Sequence, residues 1–168
     1  MAKPTLNTVG GSLLALGYAG QLTHEIGFTD IDHAVNVNAS TVDFGVAVSR
    51  SGVDGCKPFA AITDEILGVS VRQSTGVYNA GGTVGYAQYE SVPVLKQGYM
   101  FVEAGENVTV GDYVVALTAS AGKLGGKTGG VPGAGRALVP GGSWETTTAA
   151  GQIGKIRINL STPVAVPT

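Results

Sequence analysis

The last third of the chain, residues 89–160, constrains the fold most, because it consists of short apolar segments separated by glycine. Within residues 155–160, apolar side chains alternate strictly with polar ones. A period of two is what a strand with one buried face requires. We therefore expect Ile156, Ile158 and Leu160 to face the core, and the polar residues that alternate with them to face solvent.

Similar short apolar or alternating segments occur along the rest of the chain, and no segment has a convincing helical period. The strand candidates are residues 35–38, 44–48, 66–71, 84–89, 91–95, 99–102, 108–110, 113–117 and 144–148. About eight to ten short strands without helices predict an all-β fold, either a single small β-sandwich or an open β-barrel with glycine-rich loops. No repeat of fixed period is visible in the sequence.

Several features should interrupt these strands. Residues 30–32 have the composition of a turn or cap. Pro93 lacks a backbone N–H, which predicts an edge strand or a bulge. Gly98 is expected to end one strand before the next begins. Residues 121–135 contain seven glycines and one proline and are expected to form a loop.

The chain divides into an extended N-terminal arm over residues 1–20, a β-rich domain over residues 21–162 and a loose tail over residues 163–168. The arm has no period long enough to form an independent element. Apolar side chains are costly to leave in water, at roughly 25 cal/mol per Å². We therefore expect the arm to lie against another surface through its large apolar side chains. These candidate contact residues are Leu6, Val9, Leu13, Leu14 and Leu16.

Composition excludes several classes of protein. The net charge of −2 gives no electrostatic footprint for nucleic acid. Apolar runs such as residues 13–16 are far too short to cross a membrane, and we expect no signal peptide. A lone cysteine, Cys56, excludes an internal disulfide framework. Charged residues make up 13% of the chain, about half the usual quarter. A surface so poor in charge suits burial against neighbours.

Glycine-rich segments near residue 126 invite a nucleotide-binding interpretation, but their spacing argues against it. A phosphate loop ending in Gly126-Lys127-Thr128 needs a glycine at the position that Ala121 occupies. The dinucleotide pattern fails too, because Leu138 stands where the third glycine of the segment 133–138 should be. We expect flexible surface loops here and no cofactor.

Other reactive side chains also lack a recognisable catalytic context. Adjacent carboxylates at residues 64–65 point to opposite faces if they lie on a strand. Cys56 is expected to be a small apolar filler rather than a nucleophile. One acidic and histidine-rich group could bind a divalent ion, although its spacing matches no metal motif and a polar surface turn is favoured. It comprises His24, Glu25, Asp30, Asp32 and His33. No metal site and no enzyme activity are predicted.

Aromatic side chains are available for stacking against bases, but no basic residues are interleaved with them. We expect them to form core or subunit contacts instead. They are Tyr86, Tyr89, Tyr99, Tyr113 and Trp144.

The order and spacing of several segments resemble the structural cement, or head decoration, proteins of tailed bacteriophages. The resemblance covers roughly residues 17–160. It lies in Gly-Tyr-Ala-Gly-Gln-Leu at 17–22, Asp-Ile-Asp at 30–32, the apolar segments 44–48 and 66–71, residues 89–95, Val-Gly-Asp within 108–115, Ala-Gly-Lys-Leu at 121–124 and the closing segment 144–160. The specificity of the resemblance lies in the order and spacing of these segments.

The resemblance implies a small β-rich protein that binds the outer surface of a capsid at junctions between major capsid protein subunits. Such proteins are made in the bacterial host cytoplasm, commonly act as homotrimers and reinforce the shell against internal DNA pressure. The expected partners are thus the major capsid protein and further copies of this chain, with no nucleic acid and no membrane. The family offers no catalytic residues.

One alternative of a different class stays open at the level of sequence. A β-rich chain of this size could be a receptor- or carbohydrate-binding module of a phage surface appendage. Exposed aromatic loops and a calcium-type acidic cluster would favour it, and only the carboxylates of Asp30 and Asp32 hint at such a cluster.

Overall fold

Eleven strands make up about half of the residues that the computed structural model describes, which are 17–23, 29–73, 85–129 and 132–160. They are β1 (Asp30–Asn36), β2 (Val42–Asp43), β3 (Ala47–Arg50), β4 (Gly55–Pro58), β5 (Ile66–Ser70), β6 (Gly85–Tyr86), β7 (Ser91–Glu103), β8 (Tyr113–Leu117), β9 (Leu124–Lys127), β10 (Arg136–Trp144) and β11 (Ile153–Asn159). The only helical segment among these residues is a 3₁₀ turn, Thr118–Ser120. The prediction of an all-β fold is confirmed.

Five strands close into a barrel in the order β1-β4-β3-β5-β7, because β1 pairs with both β4 and β7. The β1–β4 contact is parallel and short, whereas β1 and β7 are antiparallel over their full common length. The short strands β2 and β6 form a separate two-stranded sheet. Closure removes most of the unpaired strand edges that an open sheet would expose.

The second half of β7 belongs to a further antiparallel sheet in the order β7-β11-β10-β8-β9. Gly98 lies where the strand passes from the barrel into this sheet, and its φ of +136° is accessible only to glycine. The prediction that Gly98 ends a strand is wrong. β7 continues through it for 13 residues, because this glycine bends the strand without breaking its pairing with β11.

Pro93 lies in the middle of the barrel rather than at an edge or a bulge, so that prediction is also wrong. Its carbonyl accepts a hydrogen bond from the amide of Val71 at 2.8 Å, just beyond the last residue of β5. In an antiparallel strand the N–H and C=O of one residue point to the same side. The missing N–H of Pro93 therefore faces Val71, one residue beyond the end of β5.

Two loops of the second sheet, residues 104–112 and 144–152, have matching conformations and cross each other. At the crossing, the backbones of Val108 and Thr148 exchange hydrogen bonds of 2.9 and 3.0 Å. The amide of Gly111 donates to the carbonyl of Trp144 at 2.8 Å, and the amide of Gly151 donates to the carbonyl of Ala104 at 2.7 Å. These reciprocal bonds relate the two loops by a local two-fold axis.

The crossing is a backbone repeat with a spacing of 40 residues that the sequence hides. Gly111 and Gly151 occupy equivalent positions, with φ of +89° and +76°, and they are the only identical residues in the two loops. Both need a left-handed conformation that glycine adopts at low cost. Side chains reinforce the symmetry, because Thr147 Oγ1 accepts from the amide of Val110 and Asn107 Oδ1 accepts from that of Ala150.

The core consists of two apolar clusters on opposite faces of the barrel strands. Adjacent residues of β3, such as Ala47 and Val48, belong to different clusters, as the alternation of a strand requires. The first cluster extends into the second sheet and includes Phe59, Leu95, Met100, Trp144, Ile156 and Ile158. The second includes Val42, Phe44, Val46, Val48, Cys56, Tyr86, Val92 and Val94. The expected register of β11 is confirmed, because Ile156 and Ile158 are buried, Leu160 packs against the first cluster and Arg157 is exposed.

Four further sequence predictions are wrong. The strand candidates 108–110 and 144–148 lie in the two crossing loops, except that Trp144 ends β10. Residues 30–32, expected as a turn, begin β1, because their backbone pairs with β7 and the polar side chains face solvent. Residues 121–135, expected as one loop, contain β9. Two of the four residues of β9 are glycines, so the side-chain pattern of this segment did not indicate a strand. Its pairing with β8 and the burial of Leu124 hold it in the sheet.

The β8–β9 hairpin packs against the barrel through a glycine at its tip. The carbonyl of Gly122 accepts a hydrogen bond from the amide of Ala47 at 2.8 Å. Gly122 has a φ of +83°, and a Cβ placed on it would lie 2.5 Å from the carbonyl oxygen of Ala47. Only glycine therefore allows the second sheet to approach the barrel so closely.

Substituting one buried and one exposed residue of β11 tests the register. We expect Ile158→Ala to lower the free energy of unfolding by about 2–5 kcal/mol, because it leaves a cavity in the first cluster. Arg157→Ala should cost much less, about 0.5 kcal/mol, because the side chain is exposed. Chemical denaturation at a concentration where the chain is monomeric, monitored by Trp144 fluorescence, measures both, and the reverse order of stability would contradict the register.

Two glycine substitutions with matched backbone conformations test the hairpin contact. Gly111→Ala should cost about 1–2 kcal/mol, because it introduces only the left-handed conformation into open space. Gly122→Ala should cost about 1–3 kcal/mol more, because its Cβ also collides with the backbone of Ala47. Equal losses of thermal stability in the two variants would show that the close approach does not stabilise the fold.

Candidate contact surfaces

Among the described residues, those that could carry chemistry lie apart from one another. Cys56 is fully buried in the second cluster, and burial raises the pKa of its thiol to about 11. A thiol in that state is a poor nucleophile, since the thiolate is the reactive form. Its position fits the expected apolar filler.

Lys127 lies in β9 rather than in a phosphate-binding loop, and it pairs with Tyr113 of β8. The amide of Gly126 donates to Glu106 Oε1 at 3.1 Å. Thr128 Oγ1 donates to Asp112 Oδ1 at 2.6 Å. The amide and hydroxyl that a phosphate would need are therefore already bound to carboxylates of this chain.

The acidic and histidine-rich group is only partly described, because His24 and Glu25 lie outside the described residues. Asp32 pairs with Lys96 Nζ at 2.6 Å. The hydrogen bond from Lys96, together with that from the amide of His33, lowers the pKa of Asp32 below its usual value. His33 Nδ1 contacts Ser91 Oγ at 3.2 Å on the surface. In the described ranges, no three His, Cys, Asp or Glu side chains come together as metal ligands.

The carboxylates at residues 64–65 diverge. Asp64 binds Lys57 at 3.0 Å and Glu65 binds Arg50 at 2.8 Å, so the two side chains have separate partners. Burial tends to raise the pKa of Asp64, but the hydrogen bonds from Lys57 and from the amides of Ala60 and Ala61 outweigh it and lower the pKa.

A cleft of about 300 Å³ lies between the barrel and the second sheet. Asp30, Arg50, Glu65 and Lys96 line it from the barrel, and Pro140 and Leu160 line it from the second sheet. The charges of Arg50 and Lys96 are matched by Glu65 and Asp32 respectively. The cleft therefore offers no concentrated charge for a ligand.

Exposed apolar side chains gather at one end of the barrel, which we call the valine–tyrosine end and define by Val35, Val37, Val53 and Tyr89. The exposed fractions of Val53 and Tyr89 are 85% and 75%. The end of β1 forms its centre. The turn holding Val53 binds one edge of β1, where the amide of Val35 donates to the carbonyl of Asp54.

Tyr89 lies on the other side of this end, and its backbone is held in an energetically unfavourable conformation. Its φ of +68° is unusual for a residue with a side chain. The amide of Tyr89 donates to the carbonyl of Asn36 at 2.6 Å, and the amide of Ala87 donates to Glu90 Oε2 at 2.6 Å. A strained, over-determined backbone that presents an exposed aromatic ring points to a contact site.

The outer face of the second sheet carries a continuous row of large polar and aromatic side chains. Directly paired residues of five adjacent strands form it, in the order Tyr99, Arg157, Ser143, Tyr113 and Lys127. We call this the tyrosine–cation row. At about 4.8 Å per strand it is roughly 19 Å long. The neighbouring residues Met100, Ile156 and Trp144 of the same strands pair with one another in the core.

A third surface lies where residues 17–23 join the body. The guanidinium of Arg72 stacks between the rings of Tyr18 and Phe44, at 4.9 and 5.5 Å from their centroids. Gly17 lies against the ring of Phe101 with no room for a Cβ. The amide of Gly20 donates to the carbonyl of Phe101 at 2.8 Å. The chain leading out of the arm is thus fixed along β7.

The edge strand β9 is protected against further strand pairing. Its carbonyl at Leu124 accepts from the amide of Gly105, and its amide at Gly126 donates to Glu106. Arg136 holds Glu106 through two contacts of 2.6 Å. Capping an edge in this way prevents uncontrolled association, so contacts with neighbours must use side-chain surfaces.

The candidate contact residues of the arm, Leu6, Val9, Leu13, Leu14 and Leu16, lie outside the described residues.

Some of the aromatic residues lie in the core and others on the surface. Trp144 and Tyr86 are buried, and Trp144 Nε1 donates to the carbonyl of Gly125 at 2.8 Å. Tyr89 and Tyr113 are exposed.

Sequence reasoning missed the tyrosine–cation row, because its members are far apart in the chain and only the register joins them. The alternation of polar and apolar residues around Arg157 indicated one member. No local signal could have aligned Arg157 with Tyr113.

None of the described residues forms a helix that is long and apolar enough to cross a membrane.

Comparison with known proteins gives a consistent result. The family model described as "Structural cement protein (E217 gp24/Pam3 gp6)" matches residues 6–159. A solved chain from "The capsid of Myoviridae Phage XM1" is similar in fold, with a TM-score of 0.65 and 19% sequence identity over 91% of this chain and 98% of that chain. No curated protein sequence matches the chain.

Proposed function

This chain belongs to the phage structural cement protein family and is a capsid-stabilising structural protein of the virion, and we propose that it binds the outer surface of the shell at junctions between major capsid protein subunits. The observation that carries the proposal is the family match over residues 6–159. The solved structure of similar fold comes from the capsid of a phage.

The contact surfaces support this function physically. A protein that reinforces a lattice needs many modest contacts, since the repeated geometry of the shell multiplies them. The valine–tyrosine end and the tyrosine–cation row supply exposed, rigid side chains on regular strands and tight turns. Aromatic residues and arginine are the residue types that contribute most at protein interfaces.

The remaining parts of the proposal concern partners and activity. The functional unit is a homotrimer whose partners are the major capsid protein and its own copies, and it binds no nucleic acid. It has no enzymatic activity. Support comes from the low charge of the chain and from the separate ion-pair partners of Asp32, Asp64 and Glu65. The appendage-module alternative receives no specific support from the described residues.

Adding the purified protein to shells that lack it tests the function. The protein should bind in a fixed ratio to the major capsid protein and raise the temperature at which the shells disrupt. Sedimentation of the shells measures binding, and light scattering during heating measures disruption. Binding without any rise in the disruption temperature would contradict a cementing role, and so would the absence of binding.

Deleting residues 1–16 tests the proposed role of the arm. We place the leucine-rich arm against the capsid or a sister subunit, where it contributes to assembly and little to the fold of one subunit. The truncated protein should therefore keep its circular dichroism spectrum and melting temperature, because β7 and residues 17–23 remain paired. It should bind shells or assemble into trimers more weakly than the full chain.

Two results would contradict this role of the arm. Failure of the truncated protein to fold would assign the arm to the core of its own subunit. Normal folding together with normal trimers and normal decoration would make the arm dispensable. A matched deletion of the tail, residues 163–168, serves as the control, because the tail carries no comparable run of leucines.

A further inference from the structure

Two of the exposed surfaces have opposite charge and complementary chemistry. We propose that, in the homotrimer, the valine–tyrosine end of one subunit packs against the tyrosine–cation row of the next. This inference rests on the proposed trimer and names the surfaces that form it. The occupant of each surface is therefore a second copy of this chain.

Charge complementarity is the first argument. Residues 29–73 and 85–96, which include the barrel, contain seven carboxylates and four Lys or Arg side chains, so their net charge is −3. Residues 97–129 and 132–160, which include the second sheet, contain four carboxylates and five Lys or Arg side chains, so their net charge is +1. The barrel of one copy and the second sheet of another therefore attract, whereas two barrels repel.

The same difference holds at the two surfaces themselves. Asp54 and Glu90 belong to the two turns that flank the valine–tyrosine end. Arg50 reaches the carbonyl of Val53 at 3.3 Å, but Glu65 already matches its charge. The end is thus apolar at its centre and acidic at its rim.

The tyrosine–cation row presents the opposite arrangement. Arg157 and Lys127 lie on either side of Tyr113 and Ser143. Glu145 approaches Arg157 only to 3.8 Å, and the Arg157 side chain remains half exposed. The row therefore offers cations to the acidic rim and an aromatic ring to the apolar centre, and such rings with arginine dominate binding energy at interfaces.

Symmetry is the second argument. The two surfaces differ, so their contact is heterologous, and a heterologous contact closes into a ring when the rotation between copies divides a full turn. A two-fold dimer would instead pair one surface with itself. A two-fold axis along the row would bring Arg157 and Lys127 against the same cations of the partner, which like-charge repulsion opposes.

The strained turn at Tyr89 provides a sharp test. Glycine adopts a φ of +68° without strain, so Tyr89→Gly should leave the subunit as stable as the wild type or more stable. The same substitution removes the aromatic ring from the contact. We expect the dissociation constant of the trimer to rise about tenfold or more, because tyrosine is among the residue types enriched where interfaces gain most of their binding energy. If Tyr89 served only the fold of its own subunit, the substitution would not weaken the trimer while leaving the stability of the subunit unchanged.

Charge exchange tests the pairing of the two surfaces. Arg157→Glu and Asp54→Lys should each weaken the trimer about tenfold or more, and the double variant should recover most of the loss, because the reversed charges attract again. Asp30→Lys is the matched control, since this exposed carboxylate lies at the opposite end of β1 from Val35. It should assemble like the wild type.

Sedimentation equilibrium at micromolar concentration measures assembly, and thermal melting checks that each variant folds. Wild-type assembly in both Tyr89→Gly and Arg157→Glu would overturn the inference, and so would a wild-type protein that is monomeric. Shell binding is measured separately. Variants that form normal trimers but fail to bind shells would assign these surfaces to the capsid, which overturns the inference and leaves the proposed function intact.

Discussion

The strand β7 is the element on which the rest of the structure depends, because it is hydrogen-bonded to other strands along both of its edges. β1 pairs with its first half on one side, and β5 and then β11 pair with it on the other. The barrel and the second sheet therefore share one backbone. Gly98 lies between the two parts with a φ of +136°, and the pairing of β7 with β11 continues through it. The crossing of the loops at Val108 and Thr148 then fixes the far end of the second sheet.

Sequence reasoning succeeded where side-chain alternation reports directly on burial. The register of β11 follows from Ile156 and Ile158, and the structure confirms it. Reasoning failed where glycine was taken as a sign of interruption. Gly98 continues a strand, and the glycines of β9 lie in a paired strand. Pairing with the backbone of neighbouring strands holds these residues in place, and a residue without a side chain gives no sign of that pairing in the sequence. The two-fold crossing could not be predicted, since the two loops share their backbone geometry but only one residue identity, that of Gly111 and Gly151.

The candidate surfaces were less predictable than the fold. Low charge in the sequence indicated a protein that is covered by neighbours, but it could not say where. Tyr113 and Arg157 come together only through the register of β10 with β8 and β11, which is a long-range property. Tyr89 is exposed because a turn holds it in a left-handed conformation that its sequence context does not announce. The family resemblance, and not any catalytic motif, carried the functional prediction, and the match of the family model supports it.

The architecture suits a protein that adds stiffness to a surface that it does not build. A closed barrel leaves few free strand edges, and Glu106 with Arg136 caps the edge at β9. Contacts with neighbours are thereby left to defined side chains, so the protein can associate at chosen places without polymerising through its sheets. The buried Cys56 and the ion-paired carboxylates of Asp32 and Asp64 contribute to the fold.

A cryo-electron microscopy map of the mature particle, at a resolution that shows side chains, tests the central claim most directly. Our account predicts this protein on the outer surface of the shell, above junctions between major capsid protein subunits. Around each site, copies of the chain should be related by three-fold symmetry. Density for the chain on a tail or fibre, or inside the shell, would contradict the account.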